Sequence, residues 1–302
     1  METITLSQAE LEKLVESVAL EVVRQMGPEP GAWLTEEAEC GCGHASGSGK
    51  IQCVNDQPAE VRALARLMDH TLLRPQATRA QIEQLAEEAR QWCFGAICVN
   101  PGWVPLAAEK LRGSGVKVAA VVGFPLGATL TSVKRAEAQA TIVAGAEEVD
   151  MVMNVGAMRS GDHESVENDI RGVVEVCHSG GAILKVILEN AYLSNQEKVE
   201  ACRIVQRAGA DFVKTSTGFG PTGATAEDVR LMRETVGPEM GVKAAGGIRN
   251  LADAVAMLDA GATRLGTSAS IAILEEAAVA LAGGVSQQHP APASAARAAQ
   301  GY

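Results

Sequence analysis

Aromatic side chains are scarce. Phe, Tyr and Trp together make up 3% of the 302 residues, although 47% of the chain is hydrophobic. A core built from this chain must rely on Val, Ile, Leu and Ala, the mix that suits parallel strands covered by helices on both faces. Positive charge is also short. Lys and Arg number 26 against 37 Asp and Glu, a net charge of −11, which excludes an electropositive groove for nucleic acid. No apolar run reaches the roughly 18 residues that a membrane-spanning helix needs. The N-terminus is acidic and lacks the apolar stretch of a secretory leader, so the expected location is the cytoplasm. Cysteines number seven, an odd count, and four lie in apolar segments, which points to reduced thiols rather than a disulfide framework.

What is present falls into four parts. Residues 1–27 read as a short amphipathic helix. Ser7 and Glu10 form a capping box, Leu11, Leu14, Val15, Val18, Val22 and Met26 share one face, and Gly27 and Pro28 stop the helix. Residues 28–58 are rich in Pro, Gly, Ser and acidic residues and read as a linker. Ten acidic and three basic residues lie within 1–58, so most of the net charge belongs to this extension. Residues 59–284 read as the catalytic-size domain, and 285–302 as a frayed tail.

Within the domain, short apolar runs recur at ALARLMDHTLL, FGAICVN, VKVAAVVGFP, EEVDMVMNVG, AILKVILEN, DFVKTSTG, GVKAAGG and TRLGTS. Stretches of helical period, such as TRAQIEQLAEEARQW, separate them. Three helices end in Ala-Gly-Ala directly before a strand, the αβ turn chemistry of an α/β protein. Eight strands alternating with eight helices predict a (β/α)8 TIM barrel, and a doubly wound open sheet is the structural alternative.

Of nine lysines, Lys110, Lys134 and Lys198 fall on helical stretches and read as solvated charges. Lys117 opens its strand, on the face away from a barrel active site, and Lys185 is mid-strand. Lys214 and Lys243 end strands six and seven, each just before a turn. Two ammonium groups in one apolar cavity repel, and burial adds to the preference for a neutral amine. Lowering a lysine from ~10.4 to roughly 7–8 requires ~4 kcal/mol of environment. On this reading Lys214 is a nucleophile held neutral by Lys243. On the other reading, both lysines snorkel to water from strand ends. Asp150, between Val149 and Met151, is either a proton carrier or a buried ion-pair partner. GGIRN (246–250) and GTSAS (266–270) end strands seven and eight and lead into helices, where glycine-rich turns and helix N-termini attract phosphate. Arg249 and Ser268 add donors there, with Thr217 and Gly218 alongside.

The motifs LMDHT, ICVNPGWV, VVGFPLG, EVDMVMNVG, VKTSTGF and VKAAGGIR, in this order over about residues 62–280, resemble deoxyribose-phosphate aldolase, a class I aldolase family. The resemblance implies that Lys214 forms a Schiff base, that Lys243 perturbs it and that Asp150 belongs to a proton relay. The implied reaction is reversible cleavage of 2-deoxy-D-ribose 5-phosphate to glyceraldehyde 3-phosphate and acetaldehyde, without a cofactor or metal. The implied phosphate site is Gly218, Gly246, Gly247, Gly266 and Ser268. Asp69 and Thr71 match a substrate-hydroxyl pair, and Cys98 and Lys185 join the substrate-binding set, Cys98 also reading as a plain strand thiol. Some members carry a lysine where Phe219 stands and a serine where Ala269 stands.

The extension resembles an encapsulation peptide of microcompartment cargo enzymes, with residues 6–26 docking on a shell protein. The alternative is a helix packed on its own barrel or on a neighbouring subunit. A homo-oligomer, with a dimer as the first candidate, is expected. Cys40, Cys42, His44 and Cys53 offer soft ligands, but their spacing is not a standard zinc pattern. Two other functions remain open: a Schiff-base aldolase for another phosphosugar, and a non-catalytic shell-associated assembly protein.

Overall fold

A computed structural model describes residues 57–282. The extension helix, the linker through Asp56, the Cys40–Cys53 cluster and the tail from residue 283 lie outside the described residues. Eight parallel strands close into a barrel in sequence order, β1 to β8, with β8 pairing back onto β1. They are β1 (Met68–Leu72), β2 (Ala96–Val99), β3 (Lys117–Val122), β4 (Glu148–Val152), β5 (Ile183–Ile187), β6 (Phe212–Lys214), β7 (Gly241–Ala245) and β8 (Arg264–Thr267). The open-sheet alternative is thereby excluded.

The outer ring consists of α2 (Arg79–Trp92), α3 (Val104–Leu111), α4 (Thr131–Val143), α6 (His163–Ser179), α7 (Asn195–Ala208), α8 (Ala226–Val236), α9 (Leu251–Asp259) and α10 (Ser270–Leu281). Two further helices, α1 (Ala59–Arg66) and α5 (Val155–Arg159), exceed the expected eight among the described residues. The first apolar run thus divides. ALAR is the end of α1, because Val61, Leu64 and Ala65 recur at helical spacing on a buried face, and the strand begins only at Met68.

Local chemistry fixes the helix ends. Thr78 and Gln81 form a capping box on α2, and Ser194 and Glu197 form one on α7. The Ala-Gly-Ala turns place Gly145, Gly209 and Gly261 at φ values of 111°, 85° and 104°, where a side chain would be strained.

Strand side chains alternate between the helix layer and the barrel lumen. Val149 and Met151 join the large core under the helices. Leu73, Ala96, Cys98, Ala119 and Val121 form a separate apolar cluster with Phe124. It comes from the β1–β3 side, whereas the opposite side of the lumen carries charge.

Lys134 departs from the sequence reading. It is fully buried, with Nζ 2.6 Å from Asp169 Oδ2 and 2.9 Å from the Val152 carbonyl. Thr131 Oγ1 donates to the other Asp169 oxygen at 2.8 Å. Gly123 makes the room, since a Cβ there would meet Lys134 Cε at 3.0 Å. Helical spacing alone does not reveal that an adjoining loop covers the polar face. Lys198 is half-buried against Asp228 at 2.6 Å, and of these three lysines only Lys110 is exposed as expected.

Candidate active site

Lys214 and Lys243 are register partners on β6 and β7, so their side chains leave the wall side by side. Both side-chain nitrogens converge on one oxygen of Asp150. Lys214 Nζ is 2.7 Å and Lys243 Nζ 2.6 Å from Oδ2, while Lys185 Nζ donates to Oδ1 at 2.9 Å. All four residues are buried. The snorkelling alternative fails, because neither strand-end lysine reaches water.

The network extends past these residues. Asp69 accepts from Lys243 on Oδ2 and from Arg264 Nε on Oδ1, the latter at 2.6 Å. Arg264 Nη2 donates to Glu148 Oε1 at 2.6 Å, and Lys185 Nζ lies 2.5 Å from Glu148 Oε2 as an ion pair. Three carboxylates, Asp69, Glu148 and Asp150, therefore face four basic groups, Lys185, Lys214, Lys243 and Arg264. An uncompensated buried charge is expensive, so the balanced state has one neutral amine.

The electrostatics single out Lys214. Burial, the largest influence, pushes its amine below the ordinary lysine range; Asp150 opposes this and Lys243 adds to it. Burial also acts against the Lys243 ammonium, but Asp150 and Asp69 outweigh it and hold that group above its ordinary range. Asp150 stays ionised. Burial acts to raise it, yet Lys185, Lys214 and Lys243 together hold it well below the usual carboxylate range. Asp69 is likewise held down, by Arg264, Lys243 and Lys185 against burial. The sequence reading credited Lys243 with neutralising Lys214, but desolvation contributes more and the second cation assists.

The residues expected to contact substrate have partners within the protein. Asp69 is fully buried, and its two oxygens accept from Lys243 and Arg264, holding both in place. Thr71 is half-buried and donates its hydroxyl to the Asp69 carbonyl at 2.8 Å, leaving only an acceptor. Lys185 is fully buried and anchors Asp150 and Glu148 from within the lumen. Cys98 faces the lumen 4.0 Å from Asp150 Oδ2, and burial, with Asp150 adding, pushes its thiol up to about 11, which makes it an inert wall.

The turns at the mouth gather as expected. Gly218, Gly246 and Gly247 have φ of 83°, 87° and 82°. A Cβ on Gly246 would lie 3.4 Å from Gly218 Cα and 3.1 Å from Gly223 Cα, so the β6 and β7 turns touch backbone to backbone. Thr267 Oγ1 ties the β8 turn to the Ile248 carbonyl at 2.7 Å. Arg249 and Ser268 are exposed beside the starts of α9 and α10. At Gly266 a Cβ would meet Lys243 Cε at 3.0 Å, so this glycine clears space for the lysine. Thr217 is buried and gives its hydroxyl hydrogen to Glu189, so it has none left to donate to a ligand. Phe219, half exposed, meets Phe124 edge-to-face at a 5.3 Å centroid distance.

Three residues the sequence reading did not single out matter here: Glu148, Arg264 and Glu189. Period-2 alternation was a signal for the first, since Glu148 and Asp150 share one face of β4. Arg264 and Glu189 needed the closed barrel to show their partners.

Residues 63–287 match the family described as DeoC/LacD family aldolase. A deoxyribose-phosphate aldolase of Aciduliprofundum boonei is 57% identical over 216 residues, which cover 72% of this chain and 97% of that protein. One from Streptococcus pneumoniae serotype 19F is 58% identical over 212 residues, covering 70% and 96%. The solved tetrameric deoxyribose phosphate aldolase from Aeropyrum pernix superposes with a TM-score of 0.68 at 37% identity, covering 74% of this chain and 94% of that one.

Proposed function

We propose, starting from the fact that this chain belongs to the DeoC/LacD aldolase family, that it cleaves 2-deoxy-D-ribose 5-phosphate reversibly to D-glyceraldehyde 3-phosphate and acetaldehyde. Lys214 is the Schiff-base nucleophile. The observation that carries this is the shared Asp150 oxygen, which holds Lys214 and Lys243 at 2.7 and 2.6 Å at the ends of adjacent strands. Relatives named for this activity at 57–58% identity support the substrate.

The chemistry follows from the charges. Neutral Lys214 adds to the open-chain aldehyde, and loss of water gives an iminium. The iminium withdraws the electron pair of the C2–C3 bond as the C3 hydroxyl loses its proton, releasing glyceraldehyde 3-phosphate. The remaining enamine takes a proton at carbon, and water returns acetaldehyde and the free amine. Asp150 is the anion beside the reacting nitrogen and carries protons to and from it. Lys243, held cationic, keeps Asp150 ionised and disfavours reprotonation of Lys214. Gly218, Gly246, Gly247, Arg249 and Ser268 receive the phosphate through backbone N–H groups and donors at the barrel mouth.

Borohydride trapping with acetaldehyde tests the assignment. A stable adduct mapped to Lys214 is the expected result. An adduct on another residue, or none, ends it.

The pH profile separates the two influences on Lys214. A free amine is required, so kcat/KM rises with pH through the depressed Lys214 value, below the ~10.4 of an ordinary lysine. In Lys243→Met the neighbouring cation is gone and the rising limb moves to higher pH. Burial remains, so the limb stops short of an ordinary lysine. An unmoved limb would show that Lys243 does not act on Lys214.

Homo-oligomerisation is part of the proposal, supported by the tetrameric relative. So is shell targeting by residues 6–26, which rests on the sequence pattern alone. Deleting residues 1–58 is expected to leave kcat/KM within about twofold while abolishing co-sedimentation with shell particles. A sharp fall in activity would favour a helix packed on the enzyme itself.

A further inference from the structure

Glu189 follows β5, and its backbone is bolted to the catalytic strand. The N–H groups of its neighbours, Leu188 and Asn190, donate to the carbonyls of Lys214 and Thr215 at 2.9 and 3.0 Å. Between them Glu189 adopts φ 54°, ψ 63°, a left-handed conformation disfavoured for a residue with a side chain. Its side chain is buried. Oε2 accepts from the Thr217 N–H at 3.2 Å and from the Thr217 hydroxyl. Thr217 Oγ1 in turn accepts from the Phe219 N–H at 3.0 Å. Oε1 has no partner. Gly220 closes the far side, where a Cβ would lie 2.9–3.2 Å from the carboxylate atoms.

A strained backbone, a buried carboxylate with an unpaired oxygen and a glycine that must lack a side chain meet at one turn. Native proteins retain such costs where they hold a functional geometry. The turn held here is 217–220, which contains Gly218 and rests against Gly246. The Lys214 side chain lies outside the clamp, its amine held instead by Asp150 within the lumen.

We infer that Glu189 is a positioning residue that clamps Thr217, sets the β6 turn against Gly246, and thereby governs recognition of the substrate's phosphate without acting on carbon–carbon cleavage. The inference rests on the proposed function above and assigns a specificity role within that site.

The test compares 2-deoxy-D-ribose 5-phosphate with unphosphorylated 2-deoxy-D-ribose in Glu189→Ala, Glu189→Gln and Gly220→Ala. For Glu189→Ala, KM for the phosphorylated sugar is expected to rise about tenfold or more, because the two hydrogen bonds that hold Thr217 are lost. Its kcat, and kcat/KM for the unphosphorylated sugar, should stay within about threefold. Glu189→Gln keeps one carbonyl acceptor for Thr217 and should recover part of the KM. Gly220→Ala, which displaces the carboxylate without removing it, should raise KM in the same selective way. It also decides the matter if Glu189→Ala fails to fold. Equal losses on both sugars, or no change on either, would overturn the inference while the wild-type enzyme remained an aldolase. Wild-type enzyme inert toward the phosphorylated sugar would instead overturn the proposed function.

Discussion

Lys214→Met is expected to lower kcat/KM for deoxyribose phosphate cleavage by about 10⁴-fold or more, with no borohydride adduct. Methionine approximates the length of lysine but supplies no nitrogen, so neither carbinolamine nor iminium forms and the C2–C3 electrons have no sink. Stability should move the other way. The substitution removes the fourth basic group from a network with three carboxylates and leaves Asp150 Oδ2 still bonded to Lys243 at 2.6 Å. Because the folded Lys214 value is depressed, the unfolded chain binds more protons between that value and the ordinary lysine value. Wild-type stability therefore gains from this group as pH rises toward the ordinary lysine value, and the variant lacks that gain. Its Tm at pH 7 should equal or exceed that of wild type. Residual cleavage within a hundredfold of wild type would refute the nucleophile assignment, and a large drop in Tm would refute the charge balance.

Asp150→Ala is expected to damage both activity and stability. It leaves Lys185, Lys214 and Lys243 facing one another without the carboxylate that all three touch. Breaking a buried pair by deleting one partner costs roughly 3–5 kcal/mol, and here the anion serves two cations, Lys185 and Lys243, besides the Lys214 amine. For a domain of this size ~4 kcal/mol is a fall in Tm of about 8–16 °C. Activity should fall about 10³-fold or more, since the proton carrier beside the reacting nitrogen is lost. The pH dependence has a definite sign. The folded value of Asp150 lies well below its ordinary 3.8, so its contribution is complete above that value and fades as pH falls through the folded value. The stability gap between wild type and variant should be level from about pH 5 upward through neutrality and narrow in strong acid. A variant as stable as wild type at pH 7 would mean that Lys185 and Lys243 shed protons at little cost, and the proposed network would fail.

The barrel was legible because parallel strands buried on both faces are written as short aliphatic runs, and the Ala-Gly-Ala endings mark the turns between helix and strand. Lys214, Lys243 and Asp150 were legible for a related reason: an ionisable residue inside such a run stands out against Val and Ala. Lys134 misled because it sits on a helix of mixed character, and the loop around Gly123 that covers it is remote in the sequence. Asp69 and Lys185 are legible on their strands, but their partners Arg264 and Glu148 show only across the closed lumen. Glu189 gave no signal at all, since an acidic residue in a loop reads as solvent-exposed.

By itself, the sequence determined the eight aliphatic strands alternating with helices and the chemical type of the groups at the strands' C-terminal ends. These are local properties, carried by periodicity, turn residues and the cost of placing charge in an apolar run. Tertiary structure decided which charge meets which. Closing eight staves brings Asp69, Glu148, Asp150, Lys185, Lys214, Lys243 and Arg264 into one dry space, and only there does the count of cations and anions leave one amine free to react.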